Sequence, residues 1–287
     1  MKIYINNDKY AQARTYTRAR ATKERKYIKV SEWSSKKEYE LNQKREQLVV
    51  KSNDLIQKSR FDLSILEQKI VLNLIQLIKP TDTAFQTYEF SVQDFCKLCN
   101  IDYKNGGNYI MIKDTIRKLS DKSFWIKQGK TQSLCRWINK ARIQEDSGII
   151  EIRLDDDLLP YLIELKNNYT MYSLINVLGM QSKYSPRIYE LAKSNEYKKN
   201  FIINLQELKE MISAEHYINY TDFKRYVLDT AIKEINAVTD INLTYEPIKE
   251  GRKVTKIEFT TEKKLPLERY LAHTKAINKT DKRQNKQ

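Results

Sequence analysis

Apolar residues recur along this chain with two spacings, one typical of amphipathic helices and one typical of short, half-buried strands. Residues 63–78 have the helical spacing, with apolar side chains at Leu66, Ile70, Leu74, Leu77 and Ile78. Residues 109–126 and 223–236 have the same spacing. Strand-like stretches lie at 134–143, 149–154, 241–246 and 254–260. The chain therefore mixes helices with short strands, which predicts an α+β fold.

The same order of elements occurs twice, with an offset of roughly 115 residues. A helix at 63–78 and a strand with a short helix at 88–101 precede the 109–126 helix and its strands. The second copy has its helix at 185–197 and its strand with a short helix at 201–213. Helix, strand, helix, helix and hairpin is the order of a winged helix, so we predict two tandem winged-helix (helix-turn-helix) domains. Chance similarity between short amphipathic helices is the competing interpretation.

Basic residues are concentrated at the two ends of the chain. The net charge is +15, of which residues 1–50 carry +7 (13 basic, 6 acidic) and residues 262–287 carry +5 (8 basic, 3 acidic). Such a surplus favours a polyanionic partner, although solubility alone also explains basic ends. We predict a basic, largely flexible arm, with helical spacing from Glu38 to Val50, and a disordered basic tail. The predicted segments are the arm at 1–47, the winged-helix domains at 48–165 and 166–262, and the tail at 263–287.

Cellular location is predicted from the cysteines and from the absence of long apolar segments. The three cysteines are too few and too unevenly spaced for a disulfide framework, which favours a reducing compartment. The first 20 residues lack the apolar core of a signal peptide, and no apolar run approaches the length of a membrane span. The sequence therefore predicts a soluble, cytoplasmic protein without a membrane partner.

The 223–236 helix has the features of a DNA-recognition helix. Its apolar side consists of Val227, Leu228, Ala231, Ile232 and Ile235. In helix-turn-helix proteins the first residues of the second helix reach base edges, and an arginine there can bond guanine in a bidentate manner. The candidate DNA contacts on and just before the other side are Thr221, Asp222, Lys224, Arg225, Asp229 and Lys233. The alternatives are a cap at Asp222, a phosphate contact at Lys224, or a plain solvated helix face.

The hairpin that follows has the features of a basic wing. Gly251 lies where a tight hairpin requires positive φ. The candidate phosphate contacts around it are Lys249, Arg252, Lys253 and Lys256. Contacts of this kind give affinity with little sequence selectivity. An ordinary charged hairpin is the alternative.

A third candidate is the start of the 185–197 helix. The exposed amides of a helix start attract phosphate, and the neighbouring side chains Lys183, Tyr184, Ser185 and Arg187 are candidate contacts. Ser185 and Pro186 are also good residues for starting a helix, so capping alone explains those two.

Residues that resemble chemical sites have simpler explanations. Cys96 and Cys99 lie within an amphipathic helical pattern and lack a second ligand pair, which indicates buried small side chains rather than zinc ligands. The acidic run Asp155–Asp157 precedes a helical segment, where carboxylates favour a helix start. The two histidines, His216 and His273, are far apart, and no phosphate-binding loop occurs. We therefore predict no catalytic residue, metal or cofactor, and no enzymatic activity.

Four phrases resemble the initiator replication proteins of iteron-containing plasmids. They are SNDLIQKSRFDLSILEQKIVLNLIQLI (52–78), TYEFSVQDFCKLCNI (87–101), SKYSPRIYELAKS (182–194) and DFKRYVLDTAIKEINAVTDINLTYEPIKEGRKVTKIEF (222–259). They span about 50–260 in the family's order, and the last is fairly specific. Residues 1–50 and the tail match nothing in the family.

The resemblance implies a function that the composition does not show. Such proteins bind double-stranded DNA at repeated origin sites as monomers, open adjacent DNA, and recruit the host initiator and the replicative helicase. Many also repress their own gene as homodimers formed through the first domain. The first domain contributes backbone contacts, for which Lys113, Arg117 and Lys118 are the matching positions. A winged-helix transcriptional regulator and, more remotely, a rolling-circle nicking enzyme are the alternatives.

Overall fold

The helix, strand, helix, helix and hairpin order is present twice in the computed structural model, which describes residues 36–99, 101, 106–144 and 147–284. The chain divides into two compact units, 1–44 and 45–287. The described residues of the first unit are 36–44, which belong to helix α1 (Lys36–Arg45). The predicted helical stretch from Glu38 therefore ends earlier than Val50. Residues 1–35 of the predicted basic arm lie outside the described residues.

The first copy is built on a three-stranded antiparallel sheet and a short additional sheet. Its elements are β1 (Leu48–Ser52), α2 (Asn53–Lys58), β2 (Ser59–Arg60), α3 (Ile65–Ile75), β3 (Thr87–Ser91), α4 (Val92–Leu98), α5 (Gly106–Ser120), β4 (Ser123–Gln128), β5 (Thr131–Arg136), β6 (Ile138–Gln144) and β7 (Ile149–Leu154). A capping box between Ser64 and Glu67 starts α3. The main sheet has the order β3–β7–β6, and the additional one β2–β4–β5.

The second copy has the same topology. After a connection containing α6 (Leu159–Leu162), β8 (Tyr169–Ser173) and α7 (Ile175–Leu178), its elements are α8 (Ser185–Ser194), β9 (Asn200–Asn204), α9 (Leu205–Met211), α10 (Tyr220–Phe223), a π turn (Lys224–Leu228), α11 (Asp229–Val238), β10 (Ile241–Glu250) and β11 (Lys253–Lys263). The sheet order β9–β11–β10 corresponds to β3–β7–β6. The caps also correspond, because Ser91 starts α4 and Asn204 starts α9 directly after their strands. The predicted duplication is confirmed by this topology.

Two features join the copies. Strand β8 follows the first copy in sequence but pairs antiparallel with β1. Beside this pair, the ammonium of Lys51 lies 2.7 Å from Glu190 Oε1, and the hydroxyl of Tyr172 donates to the same oxygen. Burial opposes ionisation of Glu190, but Lys51 and Arg187 outweigh it and hold the pKa of this carboxyl below its usual range. The junction therefore contains a buried network of ionised side chains.

The segment predicted to be a disordered tail instead forms a helix, α12 (Pro266–Gln284), so that prediction is wrong for these residues. Ala272 and Ala276 are buried, and α12 contacts both α7 and α11. A Cβ on Gly179 would lie 2.9 Å from the Cα of Ala276, so only glycine allows this approach. The residues around a small cavity at this contact also include Leu98 and Cys99 of the first copy. Helix α12 thus packs on the connection and the second copy, and it lines this cavity together with residues of the first copy.

His273 fixes α12 to the connection between the copies. Its Nε2 lies 2.9 Å from Asn176 Oδ1, which also accepts the amide of Asp240 at 3.0 Å, so Nε2 carries the proton and donates. Burial lowers the pKa of His273 to about 4, opposed by Asp240 and assisted by Arg269 and Lys264. The imidazole is therefore neutral in the folded chain at pH 7.

Docking of α12 is expected to weaken between pH 6.5 and pH 4. The pKa of His273 is lower in the folded chain, so its stabilising contribution is complete above its ordinary pKa of 6.5 and decreases as the pH falls towards 4. The loss is at most about 3 kcal/mol. Hydrogen exchange of the α12 amides at pH 7 and pH 5 measures it after correction for the intrinsic rate. His273→Gln, which can donate but does not titrate, should remove this dependence; an unchanged dependence in that variant would contradict the assignment.

Candidate nucleic-acid interface

The segment from α10 to α11 is a continuous helix over residues 220–238, hereafter the 220–238 helix, and begins three residues before the predicted start. Its inner side packs into the core through Phe223, Val227, Leu228, Ala231 and Ile235, all fully buried. All six predicted contacts are exposed: Thr221, Asp222, Lys224, Arg225, Asp229 and Lys233. The sequence thus identified the outward side of this helix, and its contact with DNA stays a prediction.

The middle of this helix departs from α-helical geometry. The Asp229 amide donates to the Lys224 carbonyl, five residues back, in the π turn. The Lys224 ammonium lies 2.9 Å from Asp229 Oδ2, and the hydroxyl of Tyr245 on β10 donates to Asp229 Oδ1 at 2.6 Å. Asp229 is therefore bonded within the protein, whereas the sequence indicated only that it points outwards.

The exposed aromatic ring of Tyr226 was missed by the sequence reasoning. This side chain is 50% exposed, and the Arg225 guanidinium lies 5.3 Å from its ring centroid. The ring of Tyr217 also lies near it, with 6.3 Å between the ring centroids and nearly parallel planes. Arginine and tyrosine side by side present a flat, cationic surface of the kind that contacts nucleotides. With 19 tyrosines in the chain, composition could not single out this one.

The wing forms as predicted, with longer strands. Gly251 has φ +63° at the first central position of the turn that joins β10 to β11, where glycine is favoured. The four predicted basic side chains are exposed: Lys249, Arg252, Lys253 and Lys256. Lys256 lies 3.5 Å from Glu250, so part of its charge is balanced within the hairpin. The other three give the tip of the wing a concentrated positive charge.

The predicted phosphate site at the start of α8 is wrong for three of its four residues, which are buried. Ser185 is fully buried, and its hydroxyl donates to Glu234 Oε2 at 2.7 Å. The same carboxylate accepts the amides of Gln181 and Ser182 at 3.1 Å, so a side chain from the 220–238 helix already occupies the anion-binding position. Helix α8 begins at Ser185, so the N-cap position is Tyr184 and not Ser185. No side chain caps this helix.

Arg187 is the second wrong residue, because it is buried and bonded internally. Its guanidinium donates to the carbonyls of Ile56 and Met211 and lies 4.1 Å from the ring centroid of Phe61. Tyr184 is the third wrong residue, because it is buried as well. Lys183 is partly exposed and pairs with Asp62 at 2.8 Å, so its contact with phosphate stays a prediction. This region is a joint between the copies rather than an open anion site.

The predicted backbone contacts of the first copy lie on α5. Lys113, Arg117 and Lys118 are all exposed. Asp114 pairs with Arg117 at 3.0 Å and with Lys118 at 2.7 Å. Such exposed pairs contribute little to stability and open readily when a polyanion competes for the cation. These contacts stay a prediction.

The cysteines and the acidic run have structural roles. Cys96 and Cys99 are buried as predicted, and burial raises their pKa to about 11 and about 12. The Asp155 carboxylate accepts the Asp157 amide and caps a short 3₁₀ helix. No group of three or more potential metal ligands occurs among the residues that the structure describes. In the same part of the chain, no helix combines the length and apolar character that a membrane span needs.

Comparison with known proteins places this chain in a family. The family model "Initiator Replication protein, WH1" matches residues 48–193, and "Initiator Rep protein, WH2" matches residues 204–261. A replication initiation protein of Escherichia coli is 30% identical over 231 residues, which is 76% of this chain and 70% of that protein. The PI protein of Escherichia coli is 35% identical over 133 residues, 40% of this chain and 44% of that protein.

Comparison of structures agrees on the fold. A crystal structure of the Pi initiator protein in complex with iteron DNA matches with a TM-score of 0.62 at 22% identity, covering 77% of this chain and 98% of that one. The tandem winged-helix prediction is therefore confirmed. The chain belongs to the initiator replication protein family, with both of its winged-helix domains, WH1 and WH2.

Proposed function

We propose that this protein is a plasmid replication initiator that binds iterons, the repeated sites of its origin. One observation carries the proposal: the outward side of the 220–238 helix and the basic wing are both exposed in this chain, which belongs to a family of initiators. A solved relative of the same fold is described in complex with iteron DNA. Net charge outside the two ends is small, so binding depends on where the basic side chains lie rather than on their total.

The two parts of the second domain divide the work of binding. Arg225, near the start of the 220–238 helix, enters the major groove and reads base edges. Arg252 and Lys253 at the wing tip contact phosphates and add affinity that does not depend on the DNA sequence. In the first domain, Lys113 and its neighbours on α5 contact the backbone of the same site. Origin opening and recruitment of the host initiator and helicase follow from occupancy of adjacent repeats.

The proposed function includes a homodimer in equilibrium with the monomer, formed through the first domain. Within the described residues, β5 pairs only with β4, which leaves its other edge open. Trp125 and Leu134 are opposite each other in this pair and are 50% and 47% exposed. An open strand edge beside an exposed apolar pair favours pairing with a second copy.

Leu134→Lys is expected to shift the protein to the monomer. A lysine at this edge places a charge where the apolar pair meets the second copy, so the dimer dissociation constant should rise at least about tenfold. Sedimentation equilibrium at several concentrations measures this constant. Ile202→Lys, the same change at an exposed apolar residue of β9, is the matched control and should leave it unchanged. Equal effects of the two variants would contradict the assigned edge.

Footprinting of the purified protein on DNA that flanks its own gene tests the proposed function. Protection of several direct repeats is the expected result. Protection of a single inverted repeat would instead support a transcriptional regulator. We also propose that the protein lacks nicking activity, which supercoiled origin DNA and a divalent metal ion test directly; a nick or a covalent protein–DNA product would overturn this part of the proposal.

A further inference from the structure

The π turn gives the 220–238 helix an unusual side-chain arrangement. In an α-helix the neighbours of Lys224 along one face are Val227 and Leu228, three and four residues on. Here Lys224 instead pairs with Asp229, five residues on, because the π turn brings these two residues together. The ion pair and the π turn therefore depend on each other.

Two further bonds hold this turn. The hydroxyl of Thr230 lies 3.3 Å from the Arg225 carbonyl, again five residues back, and donates to it. The hydroxyl of Tyr245 donates to Asp229 and connects the turn to β10, the first strand of the wing. An exposed ion pair alone stabilises little, but one carboxylate bonded to both the helix and the wing fixes their relative position.

The ionisation of Asp229 agrees with this arrangement. Burial favours the protonated acid, but the hydrogen bonds from Tyr245 and Lys224 outweigh it and lower the pKa of the Asp229 carboxyl. The carboxylate is therefore ionised at neutral pH and holds two donors at once. Its side chain is exposed on the outward side of the helix, next to the basic residues that approach DNA.

We propose that Asp229 is a positioning residue for sequence recognition: its carboxylate holds Lys224 on the π turn and the turn on the wing, so that Arg225 and Tyr226 are presented to DNA in one geometry. Asp229 acts through these neighbours rather than by contacting bases. Its negative charge also balances Lys224, which limits the pairing of this lysine with phosphates at unrelated sequences. The inference rests on the proposed function, and it explains how the protein would distinguish its own repeats from other DNA sequences.

Asp229→Asn tests the proposal, because it removes the charge and keeps the size of the side chain. The probes are a duplex of one footprinted repeat and a scrambled duplex of the same length and composition. We expect the ratio of specific to non-specific affinity to fall about tenfold, since a charge-assisted bond that orients a base-reading side chain is lost. Non-specific affinity should rise, because Lys224 is released. Thermal unfolding of the free protein verifies that the variant is folded.

Three further variants make the test specific. Tyr245→Phe removes the bond to the wing without changing charge and should also lower the ratio, which a purely electrostatic effect would not do. In a Lys224→Met background, Asp229→Asn should lower the ratio by less than in the wild-type background, because only the bond with Tyr245 is then weakened. Glu262→Gln removes the same charge at an exposed position of β11 and should leave the ratio unchanged.

The outcomes separate this inference from the proposed function. If the wild-type protein does not distinguish the repeat from the scrambled duplex, the proposed function fails. If it does distinguish them but Asp229→Asn and Tyr245→Phe retain the ratio, only the positioning role fails. A loss with Asp229→Asn that is equally large in the Lys224→Met background would also overturn it, because Asp229 would then act independently of Lys224.

Discussion

Glu190→Ala is expected to lower the free energy of unfolding by about 3–5 kcal/mol, the largest stability effect among the substitutions considered. The reason is that two buried cations, Lys51 and Arg187, lose the carboxylate that lies 2.7 Å and 3.4 Å from them. Burial already lowers the pKa of Lys51, an effect that Glu190 opposes, so removal of Glu190 should lower the pKa of this lysine further. Urea unfolding followed by circular dichroism measures the change.

The matched control for this loss is Glu262→Ala, which truncates an exposed glutamate and should change stability by less than about 0.5 kcal/mol. A double variant, Lys51→Met with Glu190→Leu, removes the Lys51–Glu190 pair and should recover part of the loss, because Arg187 alone then lacks its carboxylate. If Glu190→Ala costs no more than Glu262→Ala, the network does not stabilise the joint between the two domains.

Arg225→Ala is expected to reduce specific DNA affinity by about 1–3 kcal/mol, or roughly five- to 150-fold. Its guanidinium is exposed on the widened turn of the 220–238 helix, stacked beside Tyr226, and it has the donor geometry that guanine accepts. Non-specific affinity should change much less, because only one phosphate-competent charge is lost. Fluorescence anisotropy with the footprinted repeat and a scrambled duplex, at several salt concentrations, measures both affinities.

Lys253→Ala provides the contrast, since this exposed lysine lies on the wing. It should weaken binding to both duplexes by a similar factor and reduce the slope of log affinity against log salt by about 0.9 for one lost phosphate contact. Equal losses of specific and non-specific affinity from Arg225→Ala would show that this arginine contacts only the backbone and would contradict its place in recognition.

Features that depend on local spacing were predictable from the sequence. The buried side of the 220–238 helix follows from apolar periodicity, and the wing turn follows from Gly251 between two strand patterns. The duplication was visible because each copy repeats the same series of local patterns. Exposure of the candidate DNA contacts then followed directly from the periodicity of one helix.

Features that depend on distant partners were not predictable. Ser185 and Arg187 look like phosphate ligands locally, but Glu234 and the carbonyl of Ile56 satisfy them from 49 and 131 residues away. Helix α12 was missed because its buried side consists of small residues such as Ala276. The π turn leaves no trace in apolar spacing, because the buried positions on either side of it keep helical intervals.

Helix α12 has a consequence for the order in which the protein matures. It follows the second domain in the chain, packs Ala276 against Gly179, and lines a small cavity together with Leu98 of the first domain. A ribosome adds about 5–20 residues per second and releases them in sequence order, so both domains emerge before this helix does. The two domains of a nascent chain can therefore fold before α12 docks, and the contact of Ala276 with Gly179 forms only after this helix has emerged.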